Sequence, residues 1–316
     1  MNKSTKKAIR IVIPLVLAVF FGWYTFSKLP IDKIIPYFEK ANYLWVFVGM
    51  FCGVLSHLSR AYRWKFMLEP LGYKPKLPNS IMAVFIAYLT NFGIPRSGEV
   101  LRAAIFANYE KVPFEKGFGT IVAERVADLL VMLLIILGTL FIQYEFIKEL
   151  LVKNFNPLTI VVGLIGIILF GVLFFLIISK AKSGILLKIR VFIQGIFEGA
   201  TSIFKMKKKW AFIFHTFFIW IMYVLMFYFT SFAVSDIDNV PFAAILIGFI
   251  AASFTIAATN GGIFIYPLAI GAAFSLFSIP ETPSVAFGWI VWTSQTVLLI
   301  VLGTISFILL PIYNRK

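Results

Sequence analysis

Long stretches without a charged residue constrain the fold of this chain more than any other feature. Near the C-terminus, Trp210–Ser235, Asn239–Pro280 and Thr282–Asn314 contain no Lys, Arg, Asp or Glu. About 20 apolar residues cross a bilayer as a helix. The sequence therefore predicts an all-α, polytopic integral membrane protein with about eight transmembrane helices and one or two re-entrant segments. The other uncharged runs are Ile11–Ser27, Ala41–Ser59, Leu77–Pro95, Leu129–Tyr144 and Asn154–Ser179.

Composition narrows the classes of partner and cofactor. The net charge is +15, but the basic residues stand in short segments that flank the apolar runs, so we expect no nucleic-acid partner. The chain has one cysteine, Cys52, and two histidines, His57 and His215. We expect no disulfide, no metal site and no cofactor. Each histidine is expected to be a helix-packing or interfacial residue.

The basic residues also predict the orientation. Four basic residues stand before the first uncharged run: Lys3, Lys6, Lys7 and Arg10. Because this segment lacks a signal-peptide cleavage site, we expect it to be an uncleaved span over Ile9–Ser27. We predict a multi-pass protein of the cell (inner or plasma) membrane with both termini in the cytoplasm. A second basic segment contains Arg60, Arg63 and Trp64. Anchoring of the topology and lining of a site both stay open for its arginines.

The third run, Leu77–Pro95, decides the topology. If it spans the membrane, the basic segment Lys180–Lys209 falls outside, against the positive-inside rule. If it enters and returns on the cytoplasmic side, that segment stays in the cytoplasm, where Ser183–Met206 is predicted to form an amphipathic surface helix. We therefore predict a re-entrant segment. Helix breakers for its turn are present at Asn91, Gly93 and Pro95.

The longest run, Asn239–Pro280, is broken near its centre by a turn signal at Asn260, Gly261 and Gly262. Two interpretations stay open: a second re-entrant segment, which leaves six spans, or a plain hairpin between two spans, which gives eight. Two interrupted segments, one in each half of a chain, are typical of a transporter site. In the last span, Gln295 is expected to hydrogen-bond another helix.

Two charged motifs, Asn91–Arg102 and Gly117–Leu130, lie in or beside the apolar runs. Helical spacing places the three charges of the first motif on one face, and Glu124 and Asp128 on one face of the second. A charged side chain in the hydrocarbon core costs several kcal/mol, roughly 2.5–3.5 on insertion scales, unless it is paired with an opposite charge or hydrated. We interpret the motifs as a buried, locally neutral polar site, with surface pairs in cytosolic loops as the alternative. The charged residues are Arg96, Glu99, Arg102, Glu124, Arg125 and Asp128.

Three motifs together resemble a known family. They are N-x-x-I-P-R-x-G-E-x-x-R (Asn91–Arg102), G-F-G-T-I-V-A-E-R-V-A-D (Gly117–Asp128) and N-G-G-I (Asn260–Ile263). The family is the flippase-like family, whose relatives include the transmembrane regions of lysylphosphatidylglycerol synthases. The similarity runs from Ser59–Trp64 to the last span. It implies a lipid-translocating or lipid-binding membrane domain with re-entrant segments around a polar cavity.

Two departures from the family pattern concern charge. Many relatives have a Glu shortly after a Pro-Gly-Gly turn, where this chain continues from Thr259–Gly262 into uncharged residues. Many also have an Arg in the last span, roughly where Trp292 stands. The resemblance therefore implies that both partners of a salt bridge present in many relatives are missing from this chain. A headgroup assignment made for those relatives does not apply to this chain.

We expect one transmembrane domain over residues 1–316 that moves or binds an anionic phospholipid or a polyprenyl-phosphate-linked glycan. Its partners would be membrane lipids, and no enzyme activity is expected because no catalytic domain, metal motif or nucleotide motif is evident. An alternative is a non-catalytic membrane partner of a separate envelope transferase. A transferase that uses Glu124 or Asp128 as a base would require an acidic metal-binding motif, and the sequence contains none. The predicted headgroup-binding residues are Asn91, Arg96, Glu99, Arg102, Glu124, Arg125, Asp128, Asn260, Gly261 and Gly262.

Overall fold

The computed structural model describes most of the chain, namely residues 20, 22–27, 29–94, 97–154, 156–180, 183–187, 189–190, 194, 206–237, 239–259 and 261–315. The predicted first span, except for residues 20 and 22–27, lies outside the described residues. So does most of the predicted surface helix over Ser183–Met206. Two predicted site residues, Arg96 and Asn260, are also outside them.

Helices form nearly all of the described chain, and no strand occurs within it. In chain order they are α1 (Ile31–Glu39), α2 (Tyr43–Leu68), α3 (Leu77–Gly93), α4 (Gly98–Tyr109), α5 (Phe114–Ile142), α6 (Tyr144–Asn154), α7 (Pro157–Ser179), α8 (Lys209–Ser231), α9 (Phe242–Ala258), α10 (Ile265–Ser275) and α11 (Glu281–Tyr313). Counted over the described residues alone, four helices are long and apolar enough to cross a membrane: α2, α5, α8 and α11. The prediction of an all-α, polytopic membrane protein is confirmed.

Two helices extend well beyond the predicted apolar spans. Asn42 caps α2 by accepting a hydrogen bond from the Leu44 N–H at 3.2 Å, and the helix continues past Ser59 to Leu68, shortly before Pro70. Helix α5 begins at Phe114, directly after a proline, and is 29 residues long. Both extensions bring charged residues into continuous helix, because no helix breaker separates them from the apolar run.

The chain divides into two compact units. The first contains residues 1–121 and 213–316, and the second contains residues 122–212. The second unit holds the larger part of α5 together with α6 and α7, which has 23 residues and no charge. An ion pair joins Lys148 to Glu145 on α6, with Nζ and Oε2 separated by 3.3 Å.

In the first unit, α3 and α4 form a helical hairpin, which we call hairpin A. Its helices have 17 and 12 residues, or about 26 and 18 Å at a rise of 1.5 Å per residue, and so are shorter than a hydrocarbon core of about 30 Å. The N–H of Gly98 donates to Asn91 Oδ1 at 2.8 Å across the turn. A Cβ at Gly98 would overlap the Ala87 carbonyl oxygen, so the close approach of α3 and α4 requires glycine there. At the open end, Asn79 donates to Glu110.

Helices α9 and α10 form a second pair, which we call hairpin B. They have 17 and 11 residues and meet at a turn in which Gly261, Gly262 and Phe264 adopt positive φ. The Gly262 N–H donates to Thr259 Oγ1 at 3.0 Å. The turn predicted at this position is confirmed, and the short helices agree with the re-entrant interpretation rather than with two full spans.

Helix α11 runs alongside both hairpins. Near its C-terminus Asn314 exchanges hydrogen bonds with Asn79 of α3, and further in, Gly303 packs against Leu89. In its N-terminal half, Gly288 packs against Pro267 of α10. The two hairpins therefore approach from opposite ends of α11, and both turns lie near its middle.

The two hairpin turns also approach each other. A Cβ on Gly261 would lie 4.0 Å from the ring of Phe92 in hairpin A. Trp292 Nε1 of α11 donates to the Gly261 carbonyl oxygen at 2.7 Å. The first unit thus contains two interrupted segments, which are typical of a transporter-type site, and the structure adds that they run in opposite directions along α11.

Candidate functional site

The second half of α2 carries two buried arginines. Arg60 is 3% exposed and Arg63 is fully buried. Arg63 Nη1 donates to Thr216 Oγ1 of α8 at 2.9 Å. One turn earlier on α2, Ser59 Oγ lies 2.8 Å from His215 Nδ1 of α8. The i, i+3 spacing places both arginines on one face of α2. Their burial favours a role in lining a site over a role as anchors at the membrane surface.

Trp64 connects this face of α2 to hairpin A. The indole ring is fully buried, and the guanidinium carbon of Arg102 lies 3.8 Å from a ring centroid. This is a cation–π contact, which is strongest where water is excluded. Trp64 Nε1 donates to Thr120 Oγ1 of α5 at 2.8 Å, so the ring is held from both sides. Three arginines of α2 and α4 are thus buried, and Arg102 contacts Trp64 of α2. We call them the arginine cluster: Arg60, Arg63 and Arg102.

The acidic residues of the two motifs differ in burial. Glu99, one turn before Arg102 on α4, is half-buried. Glu124 and Asp128 are buried, and both lie in the second unit. Because α5 is continuous through them, the prediction that these two carboxylates share one helix face is confirmed. Among the described residues, the buried charged side chains are the arginine cluster, Glu124 and Asp128.

Arg125 departs from the expectation of a buried charge. Its side chain is 43% exposed, and Nη1 lies 3.6 Å from Asp128 Oδ2. Arg125 follows Glu124 directly, so its side chain is rotated by about 100° around the helix and points away from the buried face. For Arg125, the prediction of a buried charge is wrong, and the alternative prediction of a surface ion pair agrees with the structure.

The remaining predicted residues belong to the hairpin turns. Asn91 caps the turn of hairpin A through its side-chain oxygen, and Gly261 and Gly262 form the turn of hairpin B. The structure therefore brings Asn91 and Gly261 to neighbouring turns. Arg96 and Asn260 lie outside the described residues, so their part in the site stays a prediction.

The predicted site residues did not include Trp64, and a site-lining role for Arg60 and Arg63 was left open. A signal for them was present, because they belong to the S-R-A-Y-R-W segment that contributes to the family resemblance. Their position after an apolar run also fits ordinary positive-inside anchors, and this obscured their burial. No pattern in the sequence pointed to Thr216 or His215 as their neighbours.

Both histidines pack between helices. His57 is buried beside the rings of Phe85 and Tyr88, and His215 contacts Tyr62. The predicted packing role is confirmed. Within the described part of the chain, no group of three His, Cys, Asp or Glu side chains could hold a metal ion.

The chemistry available at the arginine cluster is recognition of an anion. Guanidinium groups are planar, permanently charged and matched to pairs of oxygens on a phosphate or carboxylate. Low-dielectric surroundings strengthen such contacts relative to water. Trp64 adds an apolar wall that keeps Arg102 in place.

Comparisons with known proteins agree with these features. A family model described as the lysylphosphatidylglycerol synthase transmembrane region matches residues 11–303. A UPF0104 membrane protein of Methanocaldococcus jannaschii is 28% identical over 185 residues, which are 58% of this chain and 53% of that protein. Glycosyltransferase AglD of Haloferax volcanii is 35% identical over 78 residues, which are 24% of this chain and 12% of that protein. No solved structure matches significantly.

The matched region contains the arginine cluster, both charged motifs and both hairpins. The chain spans about half the length of the first relative and about an eighth of the second. The family resemblance predicted from the motifs is confirmed by the extent of the family-model match. The chain belongs to the family of the lysylphosphatidylglycerol synthase transmembrane region.

Proposed function

We propose that this protein binds the phosphate of an anionic lipid headgroup at the arginine cluster and carries the lipid between leaflets. The lipid is a phospholipid or a polyprenyl-phosphate-linked glycan. The proposal is based on the burial of three arginines among apolar helices, with the guanidinium group of Arg102 against the Trp64 ring. Ionisable residues inside a membrane protein are costly and mark substrate paths by default.

The two hairpins supply a route for movement. Oppositely directed interrupted helices whose turns meet near the middle of a bundle occur in transporters, where rocking of one element exposes the site to each side in turn. Gly98 and the turn at Gly261 allow close backbone approach at these places. The proposal assigns no chemical reaction to the chain, so movement would follow a gradient or mass action.

The orientation is part of the proposal. Basic residues concentrate at the end of the first unit where α2 and α11 finish, as Lys65, Lys74, Lys76 and Arg315 illustrate. By the positive-inside rule, this end faces the cytoplasm of a cell (inner or plasma) membrane. Hairpin A then opens to the cytoplasm, and the arginine cluster lies on the cytoplasmic half of the path.

A charge-preserving variant tests the proposal. Arg63→Lys/Arg102→Lys keeps two cations but removes the forked donor geometry. We expect translocation of a fluorescent phosphatidylglycerol in proteoliposomes to fall about tenfold or more, because a charge-assisted hydrogen bond contributes roughly 1.5–3 kcal/mol. The control is Arg315→Lys, which changes an exposed arginine at the basic end of the first unit. A folded double variant that moves lipid at the wild-type rate would refute the proposal.

A second candidate function is that of a non-catalytic membrane partner for a transferase that modifies a lipid or glycan. It is favoured by one comparison, because 78 residues of the chain match part of a protein named as a glycosyltransferase. If this candidate holds, the purified protein binds anionic lipid but leaves its distribution between leaflets unchanged. Co-purification of a tagged chain with an envelope transferase from the native membrane would support it.

A further inference from the structure

Four buried polar atoms of uncharged side chains lack a hydrogen-bond partner among the described residues: Ser56 Oγ, Trp220 Nε1, Trp289 Nε1 and Gln295 Nε2. Two of them belong to helices that contact each other, Ser56 Oγ of α2 and Gln295 Nε2 of α11. Ser56 is fully buried. Other helical hydroxyls in this chain donate to a carbonyl in the preceding turn, as Ser294 does to Val291 at 2.9 Å. Buried polar groups are nearly always paired in folded proteins, so the unpaired atoms of Ser56 and Gln295 require a physical explanation.

The two groups flank the same point of α2. Gln295 reaches across from α11, and its Oε1 would lie 2.6 Å from a Cβ on Gly53. Ser56 follows Gly53 by three residues and shares its helix face. The Gln295 amide therefore packs against this face of α2 because Gly53 has no side chain. The expected hydrogen bond from Gln295 to another helix is not found for Nε2 among the described residues, although the side chain does pack against α2.

The same face of α2 continues into the arginine cluster. Arg60 follows Ser56 by four residues, a rise of about 6 Å along the helix. This separation suits a small phosphate ester whose phosphate lies at the arginines and whose hydroxyl groups lie at Ser56 and Gln295. No acidic residue stands between Gly53 and Arg60, and α11 is uncharged after Glu281, so these stretches of α2 and α11 offer no counter-charge for a cationic headgroup.

We propose that Ser56 and Gln295 form a neutral subsite that binds hydroxyl groups of a lipid headgroup. The inference rests on the proposed function, because it assumes that the arginine cluster holds the phosphate of the same lipid. It adds the substrate class: a hydroxyl-bearing headgroup is preferred over one without hydroxyls at equal charge. Sites built to hydrogen-bond a hydroxyl discriminate against analogues that lack it, since their own polar groups are then left unpaired.

Two lipids of equal charge test the subsite. Phosphatidylglycerol and phosphatidylmethanol each carry one phosphodiester charge, but only the first has hydroxyl groups in its headgroup. We expect the full-length protein in nanodiscs to bind short-chain phosphatidylglycerol about three to ten times more tightly, as one or two added hydrogen bonds would produce. Ser56→Ala and Gln295→Met should each reduce this ratio while leaving the affinity for phosphatidylmethanol unchanged.

Ser294→Ala is the matched control, because it removes a hydroxyl that is already bonded within its own helix. It should leave the ratio at the wild-type value. Ser56→Ala should also keep or raise the melting temperature, since it removes a buried hydroxyl without a protein partner.

The outcomes separate the two proposals. Equal affinity of the wild-type protein for both lipids, or an unchanged ratio in both variants, overturns the subsite and leaves the proposed function standing. Failure of the wild-type protein to bind either lipid overturns the proposed function, and the subsite with it.

Discussion

The arginines of the two charged motifs differ in the burial of their guanidinium groups. Arg102 is 3% exposed and lies against the Trp64 ring, whereas Arg125 is 43% exposed beside Asp128. The cost of losing a charge depends on its surroundings, because a buried set leaves its remaining members uncompensated. An exposed pair is screened by solvent and contributes little.

Replacement of these two arginines by alanine should therefore have unequal effects. Arg102→Ala removes a buried cation and its contact with Trp64, and we expect a loss of stability of about 3–5 kcal/mol. Arg125→Ala removes an exposed ion pair and should cost at most about 1 kcal/mol. Thermal unfolding of both variants in the same detergent measures the difference. Equal melting temperatures would contradict the burial of Arg102.

The sequence could identify polar positions but could not rank their burial. Charged residues are rare in and around the apolar runs, and this rarity pointed to Glu99, Arg102, Glu124 and Asp128 without a structure. The outward rotation of Arg125 and the burial of Arg63 depend on which neighbouring helices cover each face. Those contacts join residues far apart in the chain, such as Arg63 and Thr216.

Interrupted helices are the elements that distinguish this chain from a simple helical bundle. Hairpin A was predictable because the positive-inside rule and the helix breakers of its turn agree. Hairpin B was left open, since its run is long enough for two spans and no charge marks either end of the break. Neutral contacts fix its turn in place of the salt bridge implied for relatives, and the chief one is the hydrogen bond from Trp292 to Gly261.

A pair of tryptophan variants tests this anchoring of hairpin B. Trp292→Phe leaves the Gly261 carbonyl without its donor, and we expect a loss of about 1–3 kcal/mol. Trp289→Phe is the matched control, because its Nε1 has no hydrogen-bond partner among the described residues, and its ring stacks on Phe26 at 6.0 Å. The melting temperature should fall more for Trp292→Phe. The opposite order would show that ring packing, not the hydrogen bond, holds the turn.

At the scale of the whole molecule, the two hairpins enter the first unit from opposite ends. Asn79 at the open end of hairpin A contacts the C-terminal end of α11, whereas Gly271 near the open end of hairpin B packs against Val285 in its N-terminal part. If α11 crosses the membrane, the open ends must lie on opposite sides. Hydropathy alone could not establish this arrangement, because it does not show which ends of two short helices lie together.

Cysteine accessibility checks the arrangement in a Cys52→Ser background. Lys111→Cys follows hairpin A and Ser278→Cys follows hairpin B, and both positions are exposed. We expect a membrane-impermeant maleimide to label position 278 from outside intact cells, and position 111 only after the cells are opened. Labelling of position 111 from outside would contradict the re-entrant assignment of hairpin A. Labelling of both positions from the same side would contradict the opposite orientation of the hairpins.

The central claim is that the arginine cluster holds an anionic lipid headgroup, and native mass spectrometry of co-purified lipid tests it most directly. The wild-type protein and Arg63→Lys/Arg102→Lys are purified under identical conditions, and their melting temperatures are matched first. We predict that the wild-type protein retains a phosphate-bearing anionic lipid and that the variant retains about tenfold less, because lysine lacks the forked donor geometry. Retention of the same lipid in equal amounts by both proteins, or of neutral lipids alone by the wild type, would contradict the claim.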